Sequence, residues 1–472
     1  MNIAIEEIIQ NKQPQEKRPW VAPVIVRHAA SGLNKFGGVR EAQFRDEIAG
    51  VPLSDLVKKY GSPLFVISEE HLRQSVRRIN RAFTTRYPKV RQAWSYKTNY
   101  LGAVCSILHQ EKCDAEVVSA FEYDKARNLG VPGSRIFYNG PHKPRASLVR
   151  AMNEGAHIHI DHLDELAMLE EVAQELGIRD FPVTLRLNFD TGFTDTWSRF
   201  GFNLENGQAM EAARRIAASP YLKLTGLHNH IGTFIIDTRA YAAQVNIMIG
   251  FMEAVETATG CIITSLDIGG GFASRNALQG SYLPPEQITP TVEQYAEAIC
   301  GALATGLKNR EEQGKPLPEL ILESGRAIVD EAEWLISSVV ANKRLPDGRR
   351  AMVVDAGVNI LFTAFWYNHE VRPARPVEGI PEETVIYGPL CMNIDVMRQS
   401  IKLPPLKTGD LLSFWPVGAY NNTQWMQFIA LRPAVVMVRQ NGSVDVVREA
   451  EALEDITARE HLPADLRKDW AK

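Results

Sequence analysis

Long apolar runs are missing from this chain of 472 residues: no stretch reaches the roughly 20 residues that a bilayer-spanning helix needs, so no helical membrane anchor is expected. Cationic excess is missing as well. Lys and Arg total 52 against 56 Asp and Glu, a net charge of −4, which removes the electrostatic pull of nucleic acid or an anionic membrane as a partner. Cysteine is scarce, with five residues at 105, 113, 261, 300 and 391. Their spacing forms neither a zinc-ligand pattern nor the dense framework of a small secreted domain, so no metal is expected and a reducing compartment is. The start, Met1-Asn2-Ile3-Ala4-Ile5-Glu6-Glu7, carries acids where a secretory signal opens on basic residues. The expectation is a cytoplasmic protein. What is present, 45% hydrophobic and 23% charged residues, describes a globular chain of two or three domains.

Residues 1–40 are mixed in character, dotted with proline, and read as an N-terminal extension. From residue 63 a rhythm sets in. Strand-like runs at 64–67, 90–96, 115–118, 136–138, 158–160, 183–188, 224–230, 265–268 and 319–323 alternate with stretches of helical period at 69–86, 120–129, 144–153, 163–176, 206–218, 239–258 and 291–309. Eight such strands alternating with helices over about 260 residues have the size of one (β/α)8 barrel, in which chemistry sits at the C-terminal ends of the strands. The pattern alone also fits an open doubly wound sheet. After Arg326 the texture turns β-branched and aromatic with Gly, Pro and Asn turns, at 352–354, 384–387, 411–415, 428–438 and 443–447. The expected organisation is therefore α/β: a barrel at 63–328, a second and mostly β domain from 41–62 plus 329–450, and a tail at 451–472.

The chemically distinctive residues fall at the ends of these runs. Lys97 closes the run at 90–96, and an amine at the C-terminal end of a buried strand needs a salt bridge or a covalent bond. His228-Asn229-His230-Ile231-Gly232-Thr233 closes another run, Asp267-Ile268-Gly269-Gly270-Gly271-Phe272 a third, and Glu323-Ser324-Gly325-Arg326 the last. A glycine-rich turn exposes backbone N–H groups to an oxyanion, and an arginine with a hydroxyl nearby completes a phosphate cradle. Taken singly, each piece has a bland reading: a flexible turn, a hydrogen-bonded core histidine, a salt-bridged strand end. Together, an imine-forming lysine, an imidazole for a ring face, a carboxylate for a ring nitrogen and an oxyanion cradle are what pyridoxal phosphate asks of its host.

On these motifs the chain resembles the pyridoxal-phosphate decarboxylases built on an alanine-racemase-type barrel, the group of diaminopimelate, ornithine and arginine decarboxylases, over residues 45–450. The resemblance implies pyridoxal 5'-phosphate bound to Lys97, with His230 against its ring and Thr233 at the phosphate where a serine is more usual. Gly269, Gly270 and Gly271 then surround the phosphate, Glu323 pairs with the pyridine nitrogen, and Arg326 contacts phosphate or substrate. Asp114 and Arg186 take positions lining the cofactor pocket. In the second domain, Gly388-Pro389-Leu390-Cys391-Met392-Asn393-Ile394-Asp395 resembles the loop whose cysteine reaches across a dimer interface as a proton donor. Gly418-Ala419-Tyr420-Asn421 resembles the turn whose tyrosine contacts the phosphate. The implied activity is amino-acid decarboxylation, by a homodimer with shared active sites in which Lys97, Cys391 and His230 are catalytic.

Substrate identity departs from the resemblance. In diaminopimelate decarboxylases the cysteine is followed by a glutamate that grips the far ammonium; here Met392 follows, and Asn393 offers only a neutral hydrogen bond. Those enzymes also carry an arginine for the far carboxylate after Asp-Ala-Gly. Here Asp355-Ala356-Gly357-Val358-Asn359 runs into Ile360, Leu361 and Phe362, with Thr363 about where that arginine falls and Tyr367 nearby. Removing a partner from a buried ligand charge costs about 2–5 kcal/mol, so a modified, larger or less charged amino acid is expected, such as an acylated diamino acid of a siderophore or other specialised pathway. Arg199, Thr363, Tyr367, Met392, Asn393 and Asp395 are the candidate substrate contacts, with Trp197, Phe365, Trp366 and Trp425 as candidate walls. Two rivals stand beside this reading. An amino-acid racemase of the same barrel prefers a cation at the ring nitrogen, against which Glu323 argues; a non-enzymatic pyridoxal-phosphate-binding protein leaves the Cys391 and Tyr420 loops without a use.

Overall fold

Eight parallel strands close into a barrel: β1 (Val90–Ser95), β2 (Asp114–Val117), β3 (Ile136–Tyr138), β4 (His157–Ile160), β5 (Phe181–Asn188), β6 (Leu222–His228), β7 (Ser265–Asp267) and β8 (Glu319–Leu322). Each pairs with the next, and β8 pairs with β1 through Leu320↔Val90, so no strand edge is left open. The computed structural model that shows this describes residues 43–467 apart from Tyr282 and Glu311; the expected extension at 1–40 and the end of the tail lie outside the described residues. Among the described residues no helix is long and apolar enough to cross a membrane.

The two-residue alternation of a strand explains what fills the barrel. On β4, Ile158 and Ile160 join the core against the surrounding helices, while His157 and His159 turn to the other face, where both rings contact Phe137 of β3. Ala93, Phe137 and Ile321 form a small apolar plug of their own. Around that plug the interior is polar, and Glu116, His159, His228 and Asp267 are fully buried.

A nine-stranded, mostly antiparallel sheet makes up the second part. Its central strand, Glu333–Arg344, pairs with Arg350–Val354, Leu411–Trp415 and Leu64–Ser68. The run at 64–67, expected to open the barrel region at residue 63, thus belongs to this sheet, where it also pairs with Val435–Val438. Every residue of Leu64–Ser68 is buried, and a strand covered on both faces reads as one apolar run whichever sheet holds it.

Glu333, at the start of the central strand, ties the sheet to the barrel mouth. Its fully buried carboxylate accepts hydrogen bonds from Asn99 Nδ2 at 3.2 Å and Asn422 Nδ2 at 2.6 Å. Asn99 lies two residues after Lys97 and Asn422 two residues after Tyr420, so one side chain holds both turns. Burial pushes the Glu333 carboxyl up from 4.5 to about 8. The folded state therefore keeps a proton that the unfolded chain releases near 4.5, and the associated stability, full below that value, is lost as pH rises through about 8. Thermal melts of Glu333→Gln from pH 5 to 9 are expected to lack the fall in melting temperature that the wild type shows across that range; identical slopes would assign the fall to other groups.

Candidate active site

Lys97 sits in a single helical turn, Tyr96–Thr98, directly after β1. Its amine lies 2.9 and 3.1 Å from the two carboxylate oxygens of Glu116 on β2. The lysine side chain is 35% exposed and that of Glu116 0%, so the amine faces a cavity while its partner is sealed behind it. Ser95 Oγ donates to Glu116 Oε2 at 2.6 Å. Burial pulls the Lys97 pKa down, but the charges of Glu116 and Glu323 and the Tyr420 phenol outweigh it and hold the amine above its usual value. Burial raises the Glu116 carboxyl, although Lys97 opposes the shift. The pair is thus a protonated amine held against a buried carboxylate.

Asp114 does not take part. It lies two residues earlier on β2, about 7 Å deeper by the strand rise, and pairs with Arg135 and Arg91 at the N-terminal end of the barrel. Residues 114 and 116 share a face, so the motif pointed to the right strand and the wrong turn of its pleat. Counting from the strand end would have found Glu116.

The cavity above Lys97 is lined by Lys97, His230, Thr233, Gly271, Glu323, Arg326 and Tyr420, together with Ser95, Thr98 and Gly325. Residues from four strand ends and from the second sheet therefore converge. The glycine turn after β7 has no room for side chains: a Cβ on Gly270 would fall 2.2 Å from the Glu323 carbonyl oxygen, and one on Gly269, where φ is 67°, 2.5 Å from His230 Nδ1. Gly270 N–H donates to His230 Nδ1 at 3.1 Å, which leaves the ring proton on Nε2. Burial and the Lys97 charge lower His230 to about 3, so a neutral, flat imidazole faces the cavity. Trp197 meets it edge-on, with ring centroids 5.6 Å apart.

Arg326 is buried, and although Asp330 Oδ2 lies 3.9 Å from its Nη1, neither Nε nor Nη1 has a hydrogen-bond partner among the described residues. The rings of Tyr367 and Tyr420 lie 5.0 Å from its guanidinium carbon. A buried guanidinium without an acceptor calls for an anion, and the glycine backbone beside it suits an oxyanion. Glu323 Oε1 accepts from Asn139 Nδ2 at 2.8 Å, and Oε2 lies 3.5 Å from His228 Nε2. Arg186 pairs with Asp161 at 3.3 Å and stacks on Phe200. An amine, a neutral imidazole, a buried carboxylate and an open cation around one cavity fit an anionic, planar, carbonyl-bearing cofactor. Sequence reasoning missed Glu116, Asn139, His159 and His228 in this set, although His228 stands inside a motif it quoted.

The expected substrate contacts fare differently. Tyr367 is buried beside Arg326, and Arg199 is exposed with its guanidinium over Phe200. Thr363 is buried, and its hydroxyl is engaged with His369 Nε2 at 2.9 Å and Asn421 Oδ1 at 3.0 Å, so it is part of the scaffold. Asp395 is another correction: its carboxylate accepts the N–H groups of Val358 at 2.8 Å and Leu390 at 2.7 Å, clamping its own loop. Met392 packs against the core and Asn393 is exposed. Cys391 is exposed and lies outside the cavity lining. Half-buried Trp425 packs against the core, its ring stacked on Phe65 with centroids 6.0 Å apart.

Residues 73–330 match the family described as pyridoxal-dependent decarboxylase, pyridoxal binding domain. The chain is similar to the diaminopimelate decarboxylase of Bacillus subtilis (strain 168), 30% identical over 444 residues that cover 91% of this chain and 96% of that protein. It is similar, too, to the diaminopimelate decarboxylase of Methanothermobacter thermautotrophicus, 31% identical over 434 residues, 89% of this chain and 96% of that one. Among solved structures, diaminopimelate decarboxylase from M. jannaschii in complex with L-lysine superposes with a TM-score of 0.81 at 27% identity, over 91% of this chain and 99% of that chain.

The Lys97–Glu116 pair generates a direct test. A charge-assisted hydrogen bond contributes about 1.5–3 kcal/mol, so Glu116→Gln is expected to weaken retention of pyridoxal phosphate by about 10- to 100-fold in an absorbance titration. Unchanged affinity would reduce Glu116 to a bystander.

Proposed function

The chain belongs to the family of pyridoxal-dependent decarboxylases, and we propose that it acts on an amino acid whose far end bears no free ammonium, rather than on diaminopimelate. Its activity is that of the family, release of CO2 from an amino acid with pyridoxal phosphate as cofactor. The substrate reading is carried by the loop at 387–396. Its sole carboxylate, Asp395, is committed to two backbone N–H groups, and the residue after Cys391 is the half-buried, apolar Met392. Thr363, where a partner for a far carboxylate is expected, spends its hydroxyl inside the scaffold. An acylated or otherwise modified diamino acid suits such a surface, since its far end asks for no counter-ion.

When bound, pyridoxal phosphate supplies a sink for the electron pair that departing CO2 leaves behind. The chain supplies the rest. Arg326 and the glycine turn would hold the phosphate, with Tyr420, whose ring packs on Arg326, beside them. His230, neutral and fixed by Gly270 N–H, presents a flat face. Glu323 offers its carboxylate to the ring nitrogen, steadied by Asn139; an anion there favours decarboxylation over the racemase alternative. Glu116 receives the proton that the Lys97 amine must lose before it bonds to a carbonyl carbon, and its raised pKa makes it a better acceptor than an ordinary carboxylate. Thr233 completes the wall, while Arg186, paired with Asp161 and stacked on Phe200, stands outside the lining. Exposed Cys391 serves as proton donor to the cavity of a second copy, so the working unit is a homodimer.

Screening CO2 release across meso-diaminopimelate, L-lysine, ornithine, arginine and Nε-acyl-lysines tests the substrate reading. An acylated substrate is expected to exceed diaminopimelate in kcat/KM by at least about 30-fold, the equivalent of 2 kcal/mol; a preference for diaminopimelate would refute it. Cys391→Ala is expected to lower kcat by about 100-fold or more, the range of a lost general acid, with cofactor affinity unchanged. Equal losses in both would make Cys391 structural.

A further inference from the structure

Behind Glu323 the barrel interior holds three more titratable side chains packed together: His159 on β4, His228 on β6 and Asp267 on β7, each 0% exposed. One ligand atom from each of these four residues lies within 4.8 Å of the others. The imidazoles of His159 and His228 stack with centroids 4.8 Å apart. His159 stands between the two carboxylates, its Nε2 3.8 Å from Asp267 Oδ2 and its Nδ1 3.9 Å from Glu323 Oε1. Neither ring nitrogen of His159 has a hydrogen-bond partner, and Asp267 Oδ2 has none. Closing each gap by about 0.7 Å would bring both into hydrogen-bond range.

Charge balance narrows what this cluster holds. Lys97 is matched by Glu116, Arg186 by Asp161 and Lys143 by Glu165, while His157 and His230 also face the interior. That leaves Asp267 and Glu323 as two buried carboxylates with no lysine or arginine within ion-pair distance among the described residues, an arrangement that a low-dielectric interior disfavours. A protonated ring nitrogen on bound cofactor matches one of them. A single proton neutralises the other, whereas a divalent cation would leave one positive charge in excess.

We propose that Asp267 and His159 share one proton, and that His159, stacked on His228, is the positioning residue that bridges Asp267 to Glu323 and reserves the Glu323 charge for the cofactor's ring nitrogen. The proton rests on Asp267 Oδ2 and is donated to His159 Nε2, and His159 Nδ1–H is donated in turn to Glu323 Oε1. Burial and the Glu323 charge raise the Asp267 carboxyl well above its usual value, and burial lowers both imidazoles well below theirs, which sets that direction. The inference rests on the decarboxylase reading of the site but is testable without turnover.

The experiment is nitrogen-15 NMR of histidine-labelled, cofactor-free protein from pH 6 to 9, with His159 assigned by comparison with His159→Gln. Expected is a neutral His159 carrying its proton on Nδ1 throughout. An imidazolium, the Nε2–H form, or an equimolar divalent metal in the purified protein would overturn the proposal. In the cofactor-loaded enzyme, His159→Leu is expected to lower kcat by about 10- to 100-fold, the scale on which groups orienting a functional side chain act, with KM unchanged. His159→Gln, which keeps one donor and one acceptor, is expected to recover most of that loss; equal losses in the two variants, or none in His159→Leu, would contradict the bridge. Should the wild type take up no pyridoxal phosphate, the decarboxylase reading falls while the NMR result still decides where the proton sits.

Discussion

A lysine amine held against a fully buried glutamate at the mouth of a closed barrel is the constraint from which the site follows. Lys97 is at a strand end because only there can an amine face both a cavity and the strand beside it, and Glu116 is sealed so that its charge is not spent on water. In such surroundings the neighbouring charges keep the proton on the amine, and a ligand that changes those charges shifts the balance. The other parts of the cavity are arranged round that amine: neutral His230 on one side, Glu323 deeper in the barrel, and Arg326 with unpaired N–H groups above the glycine turn.

The second sheet holds this arrangement in place. Glu333 binds the turns that carry Lys97 and Tyr420, and Tyr420 N–H donates to the Thr98 carbonyl at 2.8 Å. Asp330 does the same for the neighbouring elements: its carboxylate takes the Ala419 N–H and Asn276 Nδ2, each at 3.1 Å, and the Ser274 hydroxyl. Buried acids with several donors each are rigid joints, because leaving any one donor unpaired would cost about 1–3 kcal/mol. The barrel supplies the reactive groups, and the sheet fixes their spacing.

The barrel was legible in the sequence because each parallel strand is covered on both faces and each is followed by a helix, so that β1 to β8 fall within a few residues of the expected runs. The same signal misled at Leu64–Ser68, whose five buried residues carry no mark of which sheet they join. The motif residues Lys97, His230, Gly271, Glu323, Arg326 and Tyr420 share one cavity. What pattern could not supply was depth. Asp114 and Glu116 differ by one pleat, yet only one reaches the amine. Thr363 and Asp395 looked available because hydrogen bonds to distant backbone and side chains leave no trace in sequence. His159 carried no motif at all, since its meaning comes from Asp267 and Glu323 on strands more than a hundred residues away.

Covalent capture of the cofactor by one particular amine is the central claim, and borohydride reduction of the purified protein followed by peptide mapping tests it most directly. The account predicts a pyridoxyl group on Lys97 alone. A pyridoxyl group on another lysine, such as the buried Lys143, or no stable adduct from protein that has been saturated with pyridoxal phosphate, would contradict it.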